Sequence, residues 1–161
     1  MRSTRLRTRS EDGAAAVEFA LVTPILLLIV FAIINYGLVF NDSNNARQGA
    51  REAARRAAVQ DFGSCAGTNT DKLKCMTKSS VGALSGTAYT SVKVPAGGWV
   101  KGAQLTVCVV IKPSKITGFV PLPKQISSTT SMSIEVDSPA PGVTTSADVL
   151  PAGLTWPTGC T

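Results

Sequence analysis

The sequence contains no histidine. It therefore lacks the commonest general base near neutral pH and the commonest metal ligand. Aromatic residues make up only 6% of the chain, and they are not interleaved with its basic residues. A nucleic-acid surface needs such interleaving or a base-reading fold, and neither is suggested. The four cysteines, Cys65, Cys75, Cys108 and Cys160, form no C-x-x-C pair, which argues against a thiol redox catalyst or a zinc site. The chain also lacks a nucleophile–base pair, paired carboxylates in a plausible site and a phosphate-cradling glycine loop. These absences point away from an enzyme and lead us to expect no cofactor, no metal, no small-molecule substrate and no nucleic-acid partner.

Charge is missing where hydrophobicity is concentrated. Residues 19–40 form 22 consecutive positions without a charged side chain. About 20 apolar residues suffice for a helix to cross the ~30 Å hydrocarbon layer. Inside lipid the backbone must satisfy its own hydrogen bonds, so this run is expected to be helical despite its Ile and Val content. Pro24 should bend it slightly, and Tyr36 suits the outer membrane–water interface. A cleaved secretory signal usually has an apolar region of only ~7–15 residues, followed by a small-x-small site. The run here is longer, and its far end, Tyr36-Gly37-Leu38-Val39-Phe40-Asn41-Asp42, offers no such pattern. A single-pass anchor fits better.

The net charge of +6 is placed around this run. Arg2, Arg5, Arg7 and Arg9 precede it, and Arg47, Arg51, Arg55 and Arg56 follow it. Four arginines on each side leave the positive-inside rule undecided. All four cysteines lie C-terminal to the run, and an even count on one side suggests an oxidising compartment there with two disulfides. Three connectivities are possible. We favour Cys65–Cys75, which closes a short loop, with Cys108–Cys160, which tethers a tail. The cysteine placement, together with the class III leader described below, leads us to expect the N-terminus in the cytoplasm and the C-terminal domain outside.

The chain divides into a basic leader (1–13), a transmembrane helix (14–40), a helical extension (41–62), a small antiparallel β domain (63–137) and a Pro/Gly-rich tail (138–161). The extension carries a face of small residues, Ala46, Gly49, Ala50 and Ala53, with Ala54 and Ala57 continuing it. Such a face lets another element approach closely. Gly63 and Ser64 mark the expected helix stop. Beyond them the period changes from helical to alternating. Val92 and Val94, then Leu105, Val107, Val109 and Ile111, then Ile126, Met132, Ile134 and Val136 read as half-buried strands. Residues 65–86 are ambiguous and include a possible short helix. Residues 113–125 carry three prolines and read as a loop, and the tail reads as irregular. The fold class is therefore α+β: a long N-terminal helix extending into a small antiparallel sheet domain.

One motif stands out at the head of the helix. Gly13 ends the charged leader, apolar residues begin at Ala14, and a lone carboxylate, Glu18, precedes Phe19. An acidic residue near the bilayer centre costs about 2.5–3.5 kcal/mol, and less near an edge. Glu18 is either a first-turn acid favoured by the helix dipole at headgroup depth or part of a class III signal cut after Gly13. In the second case Ala14 becomes a free α-amine that Glu18 neutralises, in its own chain or a neighbour, while helices pack.

Gly13, Ala15, Val17, Glu18, Phe19, Ala20, Leu21 and Pro24, followed by Ala46, Arg47, Gly49, Ala50, Arg51, Ala53 and Ala54, closely resemble the TadE-like family. These are the pseudopilins of the bacterial tight-adherence, or Flp, pilus system. The resemblance covers residues 10–60 and, more loosely, 100–136, where 127–135 looks like the family's final strand closed by an acid. It does not extend to 61–99 or to the tail. It implies a pilin-like fold and processing between Gly13 and Ala14 by a membrane prepilin peptidase, with Glu18 and Phe19 serving processing and assembly. It also implies partnership with a platform protein, a secretion ATPase and other pilins in the bacterial cytoplasmic membrane. The chain is too long for the major Flp subunit, which suggests a role in initiating or capping the fibre. The competing class is a membrane-tethered adhesin or binding module unrelated to a pilus, for which a cut at Gly13 has no purpose.

Overall fold

The computed structural model describes residues 11–95, 97–115, 118, 120–136 and 145–160. Most of the leader and residues 138–144 of the tail lie outside this set. A single helix, α1 (Glu11–Ala58), runs for 48 residues, about 72 Å at ~1.5 Å per residue. A second helix, α2 (Asn69–Val81), follows, then strands β1 (Gly86–Lys93), β2 (Gln104–Pro113), β3 (Ile126–Ser133) and β4 (Thr145–Ala147). The strands form one antiparallel sheet in the order β3-β2-β1-β4. This is the α+β architecture expected from the sequence.

The buried face of α1 is a stripe of small residues. Ala46, Ala50, Ala53, Ala54 and Ala57 are fully or almost fully enclosed. Their spacing of three and four keeps them on one side of a 3.6-residue helix. Without long side chains there, the inner sheet face and α2 approach the α1 backbone directly. Leu105, Val107, Val109 and Ile111 of β2, with Ile126 of β3 and Leu73 and Val81 of α2, complete the core. Gly49 marks the tightest approach. A Cβ at that position would stand 2.7 Å from Val81 Cγ2 and 3.2 Å from the Val81 Cα. Alanine is the better helix former by ~1 kcal/mol, yet Gly49→Ala is expected to destabilise the domain by about 1–3 kcal/mol through overpacking. Denaturant unfolding of the variant reads the sign: a gain in stability would mean α2 does not press on α1 here.

The helix stops earlier than Gly63. Gln60 takes the left-handed conformation (φ 61°), and its N–H reaches the Ala57 carbonyl at 3.0 Å while the Asp61 N–H reaches that of Arg56 at 2.9 Å. These two bonds tie off the open carbonyls at the helix end, as a Schellman turn does. Gln60 tolerates the unusual backbone because its side chain donates to the Val136 carbonyl at 2.6 Å. The Glu135 N–H donates to the Ala58 carbonyl at 2.9 Å, so the chain leaving β3 caps α1. The acid expected to close the last strand thus lies two residues beyond it.

Residues 65–86 resolve into α2. Thr68 and Asp71 form a reciprocal capping box, and Gly82 ends the helix in the left-handed region at φ 49°, as glycine does at low cost. The Cys65 and Cys75 Cα atoms are 6.4 Å apart at disulfide distance, tying the loop before α2 to its middle turn. Cys108 and Cys160 form the second pair, with Cα atoms 6.0 Å apart.

The strands were expected to be half-buried, and β2 departs from this. Val107, Cys108, Val109, Val110 and Ile111 are all inaccessible. The cause is the tail, which returns over the sheet face turned away from α1. There Cys160 bonds Cys108, the Cys160 carbonyl accepts from Ser91 Oγ at 2.8 Å, and Gln125 exchanges two bonds with the Thr155 backbone at 2.9 Å each. The tail is also not wholly irregular, since β4 adds to the β1 edge.

Charge fixes β4 against α2. Asp148 meets Lys78 at 2.7 Å and Lys74 at 3.4 Å, and it accepts from the Thr90 N–H at 3.0 Å. Burial pushes the Asp148 carboxyl upward, but the Lys78 ammonium and the Thr90 N–H outweigh it, so the group stays below the usual carboxylate range. A depressed folded value stabilises the fold above the unfolded value of ~3.9 and loses that contribution as pH falls through the folded value. Asp148→Asn is therefore expected to lower the melting temperature at pH 7, with the gap to wild type closing in acid below about pH 3.9. A gap that persists unchanged at the acid end would contradict the charge-based account.

Candidate functional site

The long helix has two regimes along its length. From 13 to 34 no residue of α1 is buried, and Asn35 is the first that is. These 22 positions span about 33 Å, close to the hydrocarbon thickness of a bilayer. Val17, Phe19, Leu21, Val22, Ile25 and Ile33 are each at least 60% exposed. Water does not tolerate such a continuous apolar surface on a monomer. Lipid or other apolar helices do. Length and composition make this helix the one candidate membrane span among the described residues.

Gly13, Ala14, Glu18 and Phe19 all sit at the start of this exposed stretch, already within α1. Glu18 is exposed and so faces the same surroundings as its apolar neighbours. Thr23 turns its hydroxyl back to the Phe19 carbonyl at 2.6 Å, one turn before Pro24, which supplies no N–H of its own to the helix ladder. Ala46, Gly49, Ala50 and Ala53 stand about 30 residues further on and pack against the chain's own domain. Structure thus separates the two groups read from the sequence: the first is free for partners, the second is occupied by α2 and the sheet.

The junction between the regimes is built around a residue that the sequence reading passed over. Asp42 is completely buried. Its carboxylate accepts from the Leu84 N–H at 2.8 Å, from the Ser85 N–H at 3.1 Å and from the Ser85 hydroxyl. This fastens the turn between α2 and β1 to α1. A signal was available: Asp42 lies four residues before Ala46 and seven before Gly49, on the buried stripe itself. Lower down, Tyr36 donates its hydroxyl to the Pro121 carbonyl at 2.9 Å, so the 113–125 loop reaches the top of the uncovered segment.

The arginines after the span form a surface network. Arg55 and Arg56 pair with Glu52 at 3.1 and 2.6 Å, and Arg56 also approaches Asp61 at 3.7 Å. The Arg55 guanidinium first, then that of Arg56, holds the Glu52 carboxyl down at about 2. These groups are in solvent, where such pairs add little stability. Among the described residues no group of three His, Cys, Asp or Glu side chains is placed to hold a metal.

A helix with an uncovered apolar half and a small disulfide-tied α+β domain on its other half suggests a membrane-anchored protein. Within that class the sequence is specific: residues 13–55 match the family model of TadE-like proteins, consistent with a TadE-like protein of the tight-adherence pilus system. The match spans about a quarter of the chain. No curated protein and no solved structure matches the chain.

Proposed function

We propose that the protein is a pseudopilin that helps initiate or cap a tight-adherence pilus. In this reading its N-terminus lies in the cytoplasm, a prepilin peptidase cuts between Gly13 and Ala14, and the C-terminal domain stands outside the membrane. Glu18 then neutralises an α-amine as the helix packs against other pilins under the direction of the platform protein. The observation that carries the proposal is a coincidence of boundaries. The TadE-like match begins at Gly13, the residue at which the sequence passes from charged Glu11 and Asp12 to the apolar run, and it takes in the whole uncovered stretch of α1 from 13 to 34. The domain beyond supports a structural role, since its buried carboxylate is saturated with hydrogen bonds and its small-residue stripe is filled. The test is genetic. Deleting the gene from a pilus-bearing strain should abolish or sharply reduce surface fibres, and the wild-type gene should restore them. A Glu18→Ala copy should not. Normal fibres in the deletion strain would refute the proposal.

A further inference from the structure

The two ends of the small domain are fixed relative to α1. At one end the Glu135 N–H bonds the Ala58 carbonyl at 2.9 Å. At the other, Tyr36 bonds Pro121 at 2.9 Å. Tyr36 and Ala58 are about 33 Å apart along the helix, and β3 runs between these levels. Ile126 at its start pairs with Ile111 of β2, so the β2–β3 loop hangs at the end nearest the uncovered segment. That loop end carries a concentration of positive charge. Lys112, Lys115 and Lys124 line one cleft of about 340 Å³ together with Leu122 and Leu154. All three lysines are exposed. Glu52, Asp61 and Asp148 pair with other cations, Arg55, Arg56, Lys74 and Lys78. Among the described residues, no acidic side chain lines the cleft.

From this placement we infer that the lysine-bearing end of the domain rests on the membrane, with Lys112, Lys115 and Lys124 binding the phosphate groups of anionic phospholipids in the leaflet from which α1 emerges. Lysines held near an anionic bilayer surface are attracted to it, and the attraction falls away within a Debye length. Apolar Leu122, flanked by Pro121 and Pro123, sits between the cations and suits the interface. Lysine stems also bury along such apolar surface while the ammonium stays at headgroup depth. Contact at this end would orient the domain and hold α1 upright, independently of any other subunit. The inference rests on α1 spanning a membrane and not on the pilus reading.

The test uses the full chain in nanodiscs of phosphatidylcholine alone or mixed with phosphatidylglycerol. A water-soluble amine-reactive reagent is applied, and labelling of each lysine is followed by peptide mass spectrometry. We expect labelling of Lys112, Lys115 and Lys124 to slow about five-fold in the anionic discs and to recover in about 1 M salt, where the Debye length is roughly 3 Å. Lys101, in the turn at the opposite end of the sheet, should label equally in both. Equal rates for the three lysines in both discs would overturn the inference. So would protection of the same lysines by inorganic phosphate in neutral discs, which would indicate a free-anion site, or equal slowing of Lys101, which would indicate a general surface effect.

Discussion

Replacing Cys108 and Cys160 together by alanine is expected to lower the unfolding free energy of the domain by about 4 kcal/mol. The pair is separated by 52 residues, and in the chain-entropy picture the stabilisation grows with the length of the closed loop. The Cys65–Cys75 pair, ten residues apart, is expected to contribute less, about 3 kcal/mol. The long-loop pair also has a local role. It holds the tail over Cys108 and Ser91, so its loss would reopen the outer face of β2 to water. A domain of this size has a total stability of only ~5–15 kcal/mol, and the double variant would sit near the edge of folding. Denaturant unfolding of the full chain in detergent, followed by tryptophan fluorescence, measures the difference. Unfolding curves that coincide for the oxidised protein, the reduced protein and the double variant would contradict the account.

Replacing Asp42 by alanine is expected to cost about 4 kcal/mol. Three donors, the N–H groups of Leu84 and Ser85 and the Ser85 hydroxyl, would lose their acceptor inside the protein. The two donors of Ser85 are buried, and each buried donor left without a partner costs roughly 1–3 kcal/mol, while the part-buried Leu84 N–H adds less. Asp42→Asn should cost about half as much, since one amide oxygen still accepts while its NH₂ meets donors. The same unfolding experiment reads both. A loss below about 1 kcal/mol for the alanine variant would mean that the α2–β1 turn is held by packing and not by this carboxylate.

Much of this architecture was legible because two strong periodicities sit in different parts of the chain. The uncharged run at 19–40 located the apolar half of α1 that the domain leaves uncovered, and the alanine–glycine stripe from Ala46 marked the face that another element approaches closely. Alternation from Leu105 to Ile111 and from Ile126 to Ile134 located the central strand β2 and the edge strand β3. What escaped notice was mostly tertiary. Thr68 and Asp71 do form a capping box, a local pattern that would have settled α2, but the short helix carries only five buried residues and a weak apolar period. Gln60 replaces Gly63 at the helix end because a side-chain bond to Val136 supports a backbone conformation that sequence rules assign to glycine. Val110 and Cys108 looked like the solvent side of β2; the Cys108–Cys160 pairing tethers the tail at one point of that face, but nothing local reveals that the tail covers Val110 as well. Asp42 was passed over because its partners are more than 40 residues away.

The candidate site divides in the same way. Gly13, Glu18 and Phe19 were singled out from local chemistry, because a carboxylate in an apolar helix is costly wherever the chain folds. The lysine end of the domain was invisible, since Lys112 and Lys124 are brought together with the 152–154 tail segment only by the sheet.

The measurement that bears most directly on the central claim is the N-terminal sequence and intact mass of the full chain, expressed with and without a matching prepilin peptidase. The account predicts a mature chain beginning at Ala14 when the peptidase is present, and an uncut chain when Gly13 is replaced. A chain that still begins at Met1 beside a competent peptidase would contradict it, and a new terminus beyond Phe40 would show that the apolar helix is a secretory signal and not an anchor.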